Sequence, residues 1–105
     1  MKPPRRGDVF LANLDPVVGR KIRKTRPVVI VSPDEMNRYL GTVIAVPLTS
    51  AERDWPTRIA VRTGRKHSFA ALDQIRVLSV ERLIRRSGGI DPAPLLAVLR
   101  EMFAD

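Results

Sequence analysis

Two short runs rich in β-branched residues constrain this chain more than anything else in it. Pro27-Val28-Val29-Ile30-Val31 is continuously apolar, and Thr42-Val43-Ile44-Ala45-Val46-Pro47-Leu48 follows soon after it. The first run lacks the polar–apolar alternation of a half-exposed strand, so it reads as a strand covered on both faces. The second reads as another strand, with Pro47 suggesting that its pairing stops there. Residues 9–14 form an earlier apolar stretch, ended by Asp15-Pro16. Arg58-Ile59-Ala60-Val61-Arg62 alternates charged and apolar side chains, as a half-exposed strand does. Residues 70–77 carry Leu72, Ile75 and Val77 and read as a further strand, with an irregularity expected around Asp73-Gln74.

Helical signals are fewer. Ser32-Pro33-Asp34-Glu35 has the form of a helix start, with Ser32 as N-cap, Pro33 at the first position, Glu35 closing a capping box, and Gly41 ending the helix. Near the C-terminus, Asp91 is an N-cap candidate and Pro92 takes the first position. Leu95, Leu96, Leu99, Met102 and Phe103 then form one apolar stripe. Strands first and a packed helix last imply a mainly β fold with α: a small, strongly bent antiparallel sheet or open barrel closed by a C-terminal helix. Residues 1–105 read as one domain, without repeats, low-complexity tracts or linkers.

Composition narrows the function classes. A chain of 105 residues with 44% hydrophobic and 29% charged residues is that of a globular protein. The net charge of +8 favours a polyanionic partner: nucleic acid first, an acidic protein second, an anionic membrane surface third. Cysteine is absent, which excludes disulfides, thiolate chemistry and Cys-based zinc sites. The start, MKPPRRGDVF, has no apolar run long enough for a signal peptide, and nowhere do about 18 apolar residues follow one another. The expectation is a cytoplasmic protein without a membrane span.

The positive charge is concentrated. Arg20, Lys21, Arg23, Lys24 and Arg26 place five cations in seven positions, directly before an apolar strand. Crowded like charges repel, so the cluster reads either as a surface for an anion or as a solvated charge run.

Most catalytic devices can be set aside. His67 is the only histidine, and Gly64-Arg65-Lys66-His67-Ser68 reads as a polar turn. There is no nucleophile-elbow pattern. The acids are scattered without the spacing of a metal site, and Ser87-Gly88-Gly89 fits no phosphate-cradling loop. What remains is an arginine and a hydroxyl. Arg26 stands immediately before one strand, and Thr49 stands at the end of another. If those strands are neighbours, both side chains meet over one rim of the sheet. An arginine fork binds two phosphate oxygens and stabilises charge on a phosphorane, and a hydroxyl adds one more donor. Such a pair suits RNA, whose 2′-OH supplies the nucleophile. The alternative from spacing alone is a structural ion pair at Arg26 and a strand cap at Thr49.

Several segments are similar to the MazF/PemK family of toxin endoribonucleases. They are Arg6-Gly7-Asp8-Val9, Leu14-Asp15-Pro16, Gly19, and Thr25-Arg26-Pro27-Val28-Val29-Ile30-Val31-Ser32. Asn37-Arg38, Gly41-Thr42, Val46-Pro47-Leu48-Thr49-Ser50, Trp55-Pro56-Thr57 and Leu72-Asp73-Gln74-Ile75-Arg76 continue the likeness over nearly the whole chain. The resemblance implies an SH3-like small barrel of the CcdB/PemK type and a homodimer. It also implies metal-independent, cofactor-free cleavage of single-stranded RNA to 2′,3′-cyclic phosphate and 5′-OH ends, and neutralisation by an acidic MazE-like antitoxin. The family's catalytic positions fall on Arg26 and Thr49. Candidate RNA contacts are Arg20, Lys21, Arg23, Lys24, Thr25, Ser50, Thr57 and Gln74, the cations lining a channel for the backbone. Such contacts make binding strongly salt-dependent.

One departure bears on the chemistry. Many members follow the early glycine with Ser-Glu-Gln, whereas Gly19 is followed here by Arg20-Lys21-Ile22. Lys21 therefore replaces a carboxylate that could assist proton transfer or base recognition. This keeps a non-catalytic nucleic-acid-binding module in play, and the resemblance of the fold to that of CcdB adds a third reading, a CcdB-like gyrase poison.

Overall fold

Hydrophobic side chains from both faces of one sheet organise the molecule, a computed structural model of which describes residues 2–14 and 25–105. The elements in chain order are β1 (Asp8–Asn13), β2 (Thr25–Ile30), α1 (Asp34–Tyr39), β3 (Thr42–Thr49), β4 (Arg58–Thr63), β5 (Lys66–Ala71), a 3-10 turn (Leu72–Gln74), β6 (Arg76–Ser79), a second 3-10 turn (Val80–Arg82), β7 (Leu83–Gly89) and α2 (Ala93–Met102). The strands form an antiparallel sheet in the order β4-β5-β3-β2-β1-β7, with β6 also paired to β3.

The unbroken apolar character of 27–31 has a direct cause. Val29 and Val31 join Val9, Val46 and Leu48 in one cluster, which Leu95 and Leu99 of α2 cover. Val28 and Ile30 point the other way and join Phe10, Ala12, Val43, Ala45, Leu78 and Leu83, all from strands or the start of β7. One cluster is thus the seat of the C-terminal helix and the other the inside of the curled sheet. The mainly β expectation, with an antiparallel sheet closed by a C-terminal helix, holds.

The sheet curls because two strands pair irregularly. Between Leu48↔Ala70 and Ala45↔Arg76, three residues of β3 are matched by six of its partner. The surplus is taken up around the 3-10 turn, so the irregularity expected near Asp73-Gln74 is real and divides 70–77 between β5, the turn and β6. Strand β7 carries two further register shifts against β1, and such bulges bend a strand and increase its twist.

Several local expectations are corrected. Ser32 does not cap α1, which has no side-chain cap. Its hydroxyl donates instead to Asn37 Oδ1 and accepts from the backbone N–H of Ile44 at 2.9 Å. Asn37 Nδ2 donates to the carbonyls of Pro4 (3.1 Å) and Ser32 (3.2 Å). Tertiary partners have won over the local cap, and the network ties the N-terminal segment, α1 and β3 together. Pro47 does not end the pairing of β3 either. It lies opposite Val28 of β2, and Leu48 and Thr49 go on to pair with β5. His67 is exposed, as expected, yet it belongs to β5 opposite Arg62; the turn is confined to Gly64-Arg65. Phe103 lies outside the apolar stripe and is 72% exposed.

Strand β7 has no counterpart in the sequence reading, because Leu83-Ile84-Arg85-Arg86-Ser87 looks like a charged surface. Arg86 Nε donates to Asp8 Oδ1 at 3.0 Å, and Arg82 donates to the carbonyl of Asn13 at 3.2 Å. Arg86 of β7 and Arg82 of the turn just before it therefore lash this part of the chain to β1. At the same junction, Gly7 (φ +95°) donates to Ile30 O and accepts from Ile90 N, and a Cβ there would stand 2.7 Å from the carbonyl oxygen of Ile90.

Replacing Asn37 with Ala strands the buried Ser32 hydroxyl and two carbonyls. Unfolding in urea should show a loss of about 2 kcal/mol; a loss within error of zero would mean that the network does not hold these elements together.

Candidate functional site: a basic cleft at the sheet margin

Strand pairing dictates where the site forms. Val28 lies opposite Pro47, and two residues further along each strand, in the same register, stand Arg26 and Thr49. Side chains alternate with period two, so Arg26 shares the face of Val28 and Thr49 that of Val43 and Ala45. That face is the inside of the curled sheet. Both side chains therefore emerge where the apolar interior opens to solvent, and there they line a cleft of about 320 Å³ together with Leu14, Pro47, Arg58, Gln74 and Arg76. The cleft is at the small end of the roughly 300–1,000 Å³ typical of ligand sites. It contains three arginines and, among the described residues lining it, no carboxylate.

The three arginines are not equivalent. Arg58 grips Asp73 with two hydrogen bonds, Nε to Oδ1 at 2.9 Å and Nη2 to Oδ2 at 3.2 Å. Its guanidinium also lies 4.6 Å from the centroid of the Trp55 ring, and its side chain is only 7% exposed. Thr57 Oγ1 donates to Asp73 as well, at 3.0 Å. The hydrogen bond from Arg58 is the main reason that the Asp73 carboxyl titrates below its ordinary range, and the same bond raises the Arg58 guanidinium above its own. By contrast, the half-buried guanidinium of Arg26 and the exposed one of Arg76 have no hydrogen-bond or ion-pair partner among the described residues. The cleft thus offers two uncommitted guanidinium groups beside one that is locked.

Thr49 is a strand cap and also more than that. The backbone N–H of Ala51 donates to Thr49 Oγ1 at 3.1 Å. A threonine hydroxyl has one proton and two lone pairs, so this bond orients the oxygen and leaves the proton free to donate. The structural ion pair considered for Arg26 is not found among the described residues.

The other sequence candidates divide. Gln74 lines the cleft, carried there by the 3-10 turn. Thr57 stands behind it, bonded to Asp73. Thr25 and Ser50 are exposed neighbours of Arg26 and Thr49 and are not part of the lining. Arg20, Lys21, Arg23 and Lys24 lie outside the described residues. Arg58 and Arg76 were missed as site residues. Alternation placed Arg58 on a half-exposed strand, but nothing local could reveal its partner fifteen residues away.

Comparison with known proteins adds an independent observation. Residues 5–102 match the family described as PemK-like, MazF-like toxin of type II toxin-antitoxin system. The chain is similar to an endoribonuclease MazF of Staphylococcus epidermidis, 40% identical over 85 residues that cover 75% of this chain and 71% of the relative. Among solved structures it is similar to an endoribonuclease from a mycobacterial species (28% identity, TM-score 0.78, covering 96% of this chain and 91% of that one). It is also similar to a mycobacterial endoribonuclease in complex with its cognate antitoxin (27% identity, TM-score 0.76, covering 96% and 93%).

The Arg58–Asp73 pair carries a pH signature. A carboxyl whose folded pKa is lowered contributes stability that is complete above its unfolded value of about 3.9 and is lost as pH falls through the lower folded value. The stability difference between the parent and Asp73→Asn should therefore be constant from neutrality to about pH 5 and should shrink in more acidic solution. Denaturation measured across that range checks this, and a difference independent of pH would contradict it.

Proposed function

The chain belongs to the family of PemK-like, MazF-like toxins of type II toxin-antitoxin systems, and from that membership we propose that it cuts single-stranded RNA in the cleft shared by Arg26 and Thr49. One observation carries the assignment of the site: a guanidinium without a partner among the described residues and a hydroxyl with a free proton open into the same cleft, whose described lining holds no carboxylate.

In this reading Arg26 holds the two non-bridging oxygens of the scissile phosphate, and Thr49 donates its proton to one of them. The neighbouring 2′-OH attacks phosphorus and forms the new O–P bond. Negative charge builds on the oxygens that Arg26 and Thr49 face, and these fixed donors stabilise it more than mobile water does. The bond from phosphorus to the 5′-oxygen then breaks, leaving a 2′,3′-cyclic phosphate and a 5′-OH. A guanidinium and an alcohol are poor proton acceptors, and Asp73, with its lowered pKa, is a weak base. Water therefore takes the proton from the 2′-OH and supplies the one that the 5′-oxygen gains. Arg76 and Gln74 lie along the same cleft and serve as contacts for the adjoining nucleotides. The cations at 20–24 would extend the basic path.

The net charge of +8 also suits an acidic MazE-like antitoxin, as does the antitoxin complex formed by the mycobacterial relative. A homodimer, a single domain and a cytoplasmic setting complete the proposal. Among the described residues no helix is long and apolar enough to cross a membrane.

Arg26→Ala and Thr49→Ala should each lower cleavage of a defined RNA by about 100- to 1,000-fold, while the circular dichroism of the folded protein is retained. Parent-like cleavage by either variant would refute the assignment of the site. Retention of RNA by the parent without any cutting, in a cleavage assay with chelator present, would make the chain a binding module instead.

A further inference from the structure

Against Arg58, one of the residues lining the cleft, lies an aromatic group that the phosphate chemistry does not use. Trp55, the only tryptophan, lies in the connection between β3 and β4 and is 49% exposed. One face of its indole is occupied by the guanidinium of Arg58, 4.6 Å from the ring centroid. Arg58 in turn lines the cleft and is held by both oxygens of Asp73. The backbone N–H of Arg58 donates to Trp55 O, and that of Leu72 donates to Thr57 O, so the connection is pinned to β4 and to the 3-10 turn that bears Gln74. The ring is therefore fixed at the margin of a cationic cleft, with much of its surface left in water.

We propose that Trp55 is a stacking platform for one unpaired nucleobase of the RNA, beside the cleft that holds the scissile phosphate. The inference rests on the RNA-cleaving reading and deepens it. A single strand bound through its backbone splays its bases outward, and an aromatic face recovers the stacking that they lose. An indole already gripped on one side by a guanidinium gives up little conformational freedom on binding, and it completes a sandwich of base, ring and cation. Stacking of this kind tolerates any base, so Trp55 contributes affinity and register, and sequence choice falls to edge-reading groups such as Gln74.

The test uses the parent protein and a ten-nucleotide RNA spanning a mapped cut site, made uncleavable by a 2′-deoxy sugar at the scissile position. In a companion series each base is removed in turn to leave an abasic nucleotide. Affinity comes from the anisotropy of a terminal label, and the single indole reports its own environment. Binding should quench the tryptophan. One abasic position should abolish the quench and weaken binding about tenfold, while the others leave the quench intact. Trp55→Leu should bind the intact RNA about tenfold more weakly and lose its sensitivity to that one abasic position; Trp55→Phe should keep both. If the parent binds and cuts RNA, yet no position changes the fluorescence and Trp55→Leu shows the same abasic profile as the parent, the platform is refuted and the cleavage site stands. If the parent neither binds nor cuts RNA, both readings fall.

Discussion

The antiparallel pairing of β2 with β3, with Val28 opposite Pro47, is the constraint on which the rest depends. It buries one set of side chains under the C-terminal helix and the other inside the curled sheet. Where the apolar residues of the inner face run out, the same register leaves an arginine and a threonine. A slip of one residue would exchange the faces of β2 and turn Arg26 away from Thr49. The core thus enforces the geometry of the site: any arrangement that misplaces the two groups also exposes Val28 and Ile30. Side chains mounted on paired strands hold their positions better than those on loops, as a site for developing charge requires.

A second constraint acts through β3, which exchanges partners along one edge. Because the chain must absorb three extra residues between β5 and β6, the 3-10 turn bulges out, delivering Gln74 to the cleft and Asp73 to the guanidinium of Arg58. Asp73 commits Arg58, and Trp55 covers the guanidinium. The cleft consequently separates two uses of the same residue type. One arginine is compensated and serves as a wall; Arg26 and Arg76 remain available to an anion. Like charges so close repel, and an incoming phosphate would relieve that repulsion.

Where the sequence was informative, a single element carried its own signal. A doubly buried strand was legible in Val28-Val29-Ile30-Val31, a further strand in Val43-Ile44-Ala45-Val46, and the C-terminal helix in the spacing of Leu95 and Leu99. Arg26 and Thr49 could be singled out because each adjoins such a strand, but their meeting depended on a pairing that spacing does not specify. Elsewhere tertiary partners decided. Ser32 has every local mark of a cap and instead joins a buried network with Asn37. Pro47 cannot donate to a ladder, yet it sits where β3 passes from one neighbour to the next. Strand β7 is bulged and exposes two adjacent arginines; its evidence lies in Asp8 and in the register with β1, far away in the chain. The Arg58–Asp73–Trp55 arrangement was hidden for the same reason.

The proposed reaction rests on one phosphate held jointly by Arg26 and Thr49. A crystal structure of the protein with RNA carrying a 2′-deoxy sugar at the cut site tests it most directly. The guanidinium of Arg26 and the hydroxyl of Thr49 should both lie within hydrogen-bond distance of the non-bridging oxygens of one phosphate. A backbone that crosses the protein elsewhere, or a phosphate held by either group without the other, would contradict it.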